Sequence, residues 1–163
     1  MSTIIEEQQG IVFPTEKDTQ TAIYTIGYEG DDLEGFLWRL QFDGICRIID
    51  VRCNPISRKP GFAKAPLKAF LEANGIQYVH FPQLGIPSHF RKSLKNKDDY
   101  VQLFEMYDRE ILPNQSVAIA QVAELLKEMP SALMCFEHNP EKCHRTHLAK
   151  RIHELYGFEI RES

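Results

Sequence analysis

Five short runs of strand-forming residues, separated by stretches with helical periodicity, constrain this chain more than any other feature. The runs are AIYTIG (22–27), ICRIIDV (45–51), IQYVHF (76–81), SALMCFE (131–137) and FEIRE (158–162), rich in Ile, Val and aromatic residues. Between them, DDLEGFLWRLQF sets Leu33, Phe36, Leu37 and Leu40 at spacings of three and four, the stripe of an amphipathic helix. APLKAFLEANG carries Pro66 near its start and ends on Gly75, while KDDYVQLFEMYDREIL and SVAIAQVAELLKEM each stop before a proline. CHRTHLAKRIHELYG repeats the pattern with Leu148, Ile152 and Leu155. Strands alternating with helices predict an α/β fold: a single domain over 21–163, with a mainly parallel sheet of about five strands and helices on both faces. Residues 1–20, polar apart from Ile11-Val12-Phe13, read as a flexible or loosely packed tail.

A formal charge of −4 argues against a chain built chiefly to coat nucleic acid, while leaving room for a local basic patch. No run approaches the roughly 18 apolar residues of a spanning helix, and MSTIIEEQQG has no basic region followed by an apolar one. The expectation is a cytoplasmic protein with no membrane partner. Its four cysteines do not form a disulfide framework by count or spacing and are expected to be reduced.

In open parallel sheets, ligands bind beyond the carboxyl ends of the strands. Those ends deliver Gly27-Tyr28-Glu29, Asp50-Val51-Arg52, His80 with the PQLGIP loop, and Cys135-Phe136-Glu137. The segment CFEHNPEKCHRTH follows the fourth strand. Asn139-Pro140 marks a helix start, and counting back from the apolar stripe puts His144 and Arg145 on its flanks and turns Cys143 away. Free N–H groups in the first turn of such a helix favour an anion. By the period of two, Asp50 shares a strand face with Arg52, and Glu137 with Cys135. The expected constellation is therefore Asp50, Glu137 and His144 as catalytic groups, with Arg52, Ser57, Arg58, Arg145, Tyr28 and His80 binding an anion.

Competing readings use the same residues. Asp50 and Arg52 also fit an internal ion pair, and Cys135 fits a small core residue. Cys135, His138, Cys143 and His147 form C-x2-H-x4-C-x3-H, an alternative zinc ligand set. Neither G-x-x-x-x-G-K-[ST] nor G-x-G-x-x-G occurs, and Cys135 lies too far from Arg145 for a cysteine-phosphatase loop. Basic stretches at 57–68 and 91–97 follow the second and third strands and, with Phe62, Phe81 and Phe90, have the composition to track a phosphate backbone.

The ordered motifs TIGYEG, IIDVRCNPISR, GIQYVHFPQLG and CFEHNPEKCHR resemble the bacterial and archaeal family called domain of unknown function 488, over roughly residues 23–156. The resemblance implies a small α/β domain with signature residues at Asp50, Arg52, Pro55, Ser57, Arg58, Gly85, Cys135, Glu137, Cys143, His144 and Arg145. Where relatives carry TIGHS, this chain has Tyr28 and Glu29 in place of the His and Ser. The family name supplies no reaction.

The leading expectation is an enzyme, a hydrolase or transferase, acting on a phosphate-bearing nucleotide or nucleic acid without a required cofactor. The alternatives are a non-catalytic nucleic-acid-binding module and a zinc-binding protein.

Overall fold

The computed structural model describes residues 21–163; the expected tail at 1–20 lies outside the described residues. Five parallel strands, β1 (Ala22–Gly27), β2 (Arg47–Asp50), β3 (Gln77–His80), β4 (Ser131–Cys135) and β5 (Glu159–Glu162), form one sheet in the order β3-β2-β4-β1-β5. Five helices connect and cover them: α1 (Leu33–Phe42), α2 (Lys64–Ala73), α3 (Lys97–Met106), α4 (Ser116–Glu128) and α5 (His144–Tyr156). The α/β architecture with a parallel sheet is thus as the alternation implies. Helix α3 is shorter than its sequence pattern, giving way to a π-helical turn over Tyr107–Ile111.

Strands β1 to β4 face two ways, and their alternate residues feed two cores. Ile23, Ile49, Val51 and Leu133 pack against Leu103 and Phe104 of α3, Ile119 and Val122 of α4, and Leu148 and Ile152 of α5. On the opposite face, Ile26, Ile48, Ala132 and Met134 meet Phe36 and Leu40 of α1 and Leu67 and Leu71 of α2. Burial of each such side chain is worth about 1.5–3 kcal/mol. Helix starts are fixed locally: Asp32 accepts from the Gly35 N–H at 2.7 Å, and Asn96 with Asp99 forms a reciprocal capping box on α3.

This two-sided wrapping positions a crevice. The chain leaves β1 and β2 for helices on one face, but leaves β4, which lies between them, for α5 on the other. Connections that diverge in this way open a gap at the carboxyl edge, beside β4. The register sets Gly27 beside Cys135, and Asp50 beside both Met134 and His80. Two glycines let the surrounding loops close in. A Cβ on Gly27 would stand 1.8 Å from the Glu137 carbonyl oxygen, and one on Gly85 would stand 2.1 Å from the Cys53 nitrogen. No side chain fits at either position.

Candidate functional site

A cavity of about 310 Å³ occupies the crevice. Its walls come from Tyr28 after β1, the 52–59 loop after β2, Ile86, Ser88 and Arg91 after β3, and Cys135-Phe136-Glu137 with His144 at the β4–α5 junction. Of the residues expected from sequence, Tyr28, Arg52, Ser57, Arg58, Glu137 and His144 line it. Asp50, His80 and Arg145 do not.

Asp50 is completely buried and saturated. Its carboxylate accepts from the Arg52 backbone N–H at 3.0 Å, from Arg52 Nε at 2.9 Å and Nη2 at 2.7 Å, and from the Tyr78 hydroxyl. The remaining Arg52 contacts run from Nη1 to the Tyr28 hydroxyl at 3.0 Å and the Phe62 carbonyl at 2.7 Å. Burial opposes the charge on Arg52, but the Asp50 carboxylate outweighs it and holds the guanidinium above its ordinary pKa. A carboxylate with every lone pair occupied and no path to the cavity takes no proton from a substrate, so the internal ion pair is the reading the geometry favours for Asp50. His80 sits behind this pair, its Nε2 2.7 Å from the Arg52 carbonyl oxygen.

Arg145 is also turned inward. Its Nη1 lies 3.1 Å from Cys135 Sγ and also donates to the Glu137 carbonyl, while Nη2 donates to the His138 carbonyl at 3.1 Å. It is 2% exposed, and burial lowers its pKa to about 10. It shapes the 135–138 loop and presents no donor to the cavity.

His144 is buried, with its tautomer set by its neighbours. Nε2 lies 2.8 Å from the Val51 carbonyl oxygen and must carry the proton; Nδ1, 3.1 Å from Arg91 Nη2, must therefore accept. Burial first, and the Arg91 charge second, lower its pKa to about 3. A ring neutral at physiological pH is no general acid, so of the two roles open to His144, acid or orienter, the geometry fits the second, toward Arg91. That arginine, expected only as part of a basic stretch, also donates to Glu137 Oε1 at 2.8 Å. No local pattern could foresee a pair separated by 46 residues.

The cysteines depart most from expectation. Cys135 and Cys143 form a disulfide with a Cα–Cα distance of 7.4 Å; Cys46 and Cys53 are free, with Cys53 on the cavity wall. Cys143 is wholly buried, because Pro140–Lys142 form a 3₁₀ turn and α5 begins only at His144. With φ −131° and ψ 138°, Cys143 is the cap before the helix, its Sγ accepting from the Arg145 N–H at 3.4 Å, so a count at the helical period misdirects it. The alternative zinc set of Cys135, His138, Cys143 and His147 does not assemble either. His138 is exposed, and His147 lies 2.8 Å from Asp108 and stacks on Phe104. Among the described residues, the group within ligating distance is Cys135, Cys143 and His144.

Residues 32–152 match the family model described as Domain of unknown function DUF488. This chain belongs to that family. The matched span contains most of the cavity wall, from the 52–59 loop through Arg91 and Glu137 to His144. No curated protein and no solved structure matches the chain. No helix among the described residues is long and apolar enough to cross a membrane.

Proposed function

We propose that this member of the domain of unknown function 488 family is an enzyme acting on a phosphate-bearing ligand, a nucleotide or the end of a nucleic acid strand, held in the cavity. The observation that carries the reading is the charge of the wall. Arg52 is matched by Asp50, which leaves Arg58, Lys59 and Arg91 against one carboxylate among the described residues, Glu137. Among the described residues, Arg58 is exposed and has no ion pair, and the Lys59 ammonium meets the Tyr28 carbonyl at 2.9 Å and the face of Phe62. These are donors with capacity to spare for phosphate oxygens. On the rim, Phe136 and Ile56 are 45% and 75% exposed, an apolar surface suited to a base. Glu137, oriented by Arg91, is the general base, and Ser57 adds a hydroxyl beside the bound anion.

Calorimetric titration of the full chain with inorganic pyrophosphate and a nucleotide panel tests this. The Arg58→Ala variant is expected to bind about tenfold more weakly, the loss of one charge-assisted contact, with unchanged thermal stability. Equal affinity in wild type and variant overturns the assignment. One observation supports the non-catalytic alternative: Lys92, Lys95 and Lys97, beyond Arg91, are exposed and form no ion pair among the described residues. Strand binding that weakens steeply with salt, without turnover, is the outcome that favours this module reading.

A further inference from the structure

We propose that reduction of the Cys135–Cys143 bridge converts the floor of the cavity into a zinc site, with Cys135 Sγ, Cys143 Sγ and His144 Nδ1 as its three protein ligands. The inference goes beyond the phosphate reading and does not depend on it.

Three observations converge. The ligand atoms of the three residues all lie within 4.8 Å of one another, and all three residues are buried. Second, His144 is prepared as a ligand. Its Nε2–H is committed to the Val51 carbonyl, the outer hydrogen bond that fixes ring orientation in metal-bound histidines, and Nδ1 is left as the lone pair on the sulfur side, 4.0 Å from Cys143 Sγ. Third, the spacing suits a metal better than a direct bond. The Cα–Cα distance of 7.4 Å exceeds the usual 4.4–6.8 Å of disulfides, and two zinc–sulfur bonds of about 2.3 Å make a longer bridge than one sulfur–sulfur bond.

The charges also balance. Two thiols deliver two electrons and two protons and leave as a disulfide, whereas a phosphine delivers two electrons and leaves as its oxide, with the oxygen and the two protons supplied by water; either way the S–S bond breaks to give two thiols. Zn²⁺ then displaces both protons from sulfur, so that two thiolates, one neutral imidazole and one divalent cation sum to zero. The Arg145 guanidinium, 3.1 Å from Cys135 Sγ, remains as a donor to the bound sulfur. Arg91 gives up its contact with Nδ1 and keeps Glu137. Because Cys135 and His144 line the cavity, the fourth coordination position opens into it, as in catalytic rather than structural zinc sites. Glu137 Oε2, 3.3 Å from Cys135 Sγ, is placed to accept a proton from water held there.

The test measures zinc bound to the full-length protein after treatment with tris(2-carboxyethyl)phosphine, incubation with zinc and removal of excess by gel filtration. About one zinc per chain is expected when reduced and almost none when the bridge is intact. Cobalt in place of zinc should give a tetrahedral ligand-field spectrum with sulfur-to-metal charge transfer. Cys143→Ser should lose binding, whereas His138→Ala and His147→Ala should retain it. Reduced wild-type protein that binds no metal, or a cobalt spectrum without sulfur character, overturns the proposal whatever the variants do. Undiminished binding by a folded Cys143→Ser, checked by circular dichroism, does so too. Pyrophosphate titration of the oxidised, zinc-free protein keeps failure of this proposal distinct from failure of the phosphate reading.

Discussion

Two arginine–carboxylate pairs stand at the same edge of the sheet and do opposite things. Asp50–Arg52 lies on the α1–α2 side, with side chains 0% and 7% exposed and the carboxylate fully bonded. Glu137–Arg91 lies on the α5 side, 18% and 28% exposed, and faces the cavity. The first joins residues two apart and pins the start of the 52–59 loop to β2. The second joins two loops from different strands and leaves donors and acceptors available to a ligand. Completeness of partnering, more than the identity of the residues, separates the pair that holds the fold from the pair suited to chemistry.

The sharpest way to break this contrast is Asp50→Ala. It leaves the Arg52 charge buried without compensation, and loss of one member of a buried pair costs about 3–5 kcal/mol. Chemical denaturation should show that loss, and a cost below about 1 kcal/mol would mean that the Asp50 pair is no more structural than its exposed counterpart.

Glu137→Gln probes the other pair with an isosteric change. Stability should move by less than about 1 kcal/mol, as for partly exposed pairs. Pyrophosphate should bind more tightly, because the carboxylate that stands alone on the cavity wall among the described residues loses its charge, while turnover of a phosphate ester substrate falls about 100-fold or more with removal of the proposed base. Tighter binding with intact turnover would separate Glu137 from the chemistry and return the role of base to water alone.

The legible part of the molecule follows from period. Strands β1 to β5 and helices α1 to α5 sit where apolar spacing puts them, because a sheet buried on both faces makes runs such as IIDV continuous and helices that cover it show one stripe each. The same rule of two correctly placed Asp50 beside Arg52. What it could not supply was saturation: the Tyr78, Tyr28 and Phe62 partners arrive from elsewhere in the chain. Cys143 was misdirected because one 3₁₀ turn and an extended cap interrupt the helical count. The bridge to Cys135 is not legible in the sequence, because cysteine number and spacing speak to compartment, not to which thiols meet. Arg91 was visible only as one of several basic residues, and its meaning depends on the turn at Gly85 that brings the chain back against Cys53.

The smallest effect concerns Tyr78, the remaining donor to Asp50. Burial, and then the neighbouring Asp50 carboxylate, raise the pKa of this phenol above its ordinary value. A folded-state pKa above the unfolded one means that the group stabilises the fold fully below pH about 10, and that this contribution is lost as pH rises beyond it, where the unfolded chain ionises first. Tyr78→Phe should therefore cost about 1 kcal/mol near neutrality, the lost hydrogen bond, and should unfold less steeply with alkali than the wild type, by about 1 kcal/mol per pH unit above 10. Other buried tyrosines, Tyr107 among them, contribute equally to both proteins, so the difference between the two denaturation curves isolates Tyr78. Parallel curves would show that the phenol is not held by Asp50, and the sealed pair would then owe its saturation to Arg52 and the backbone alone.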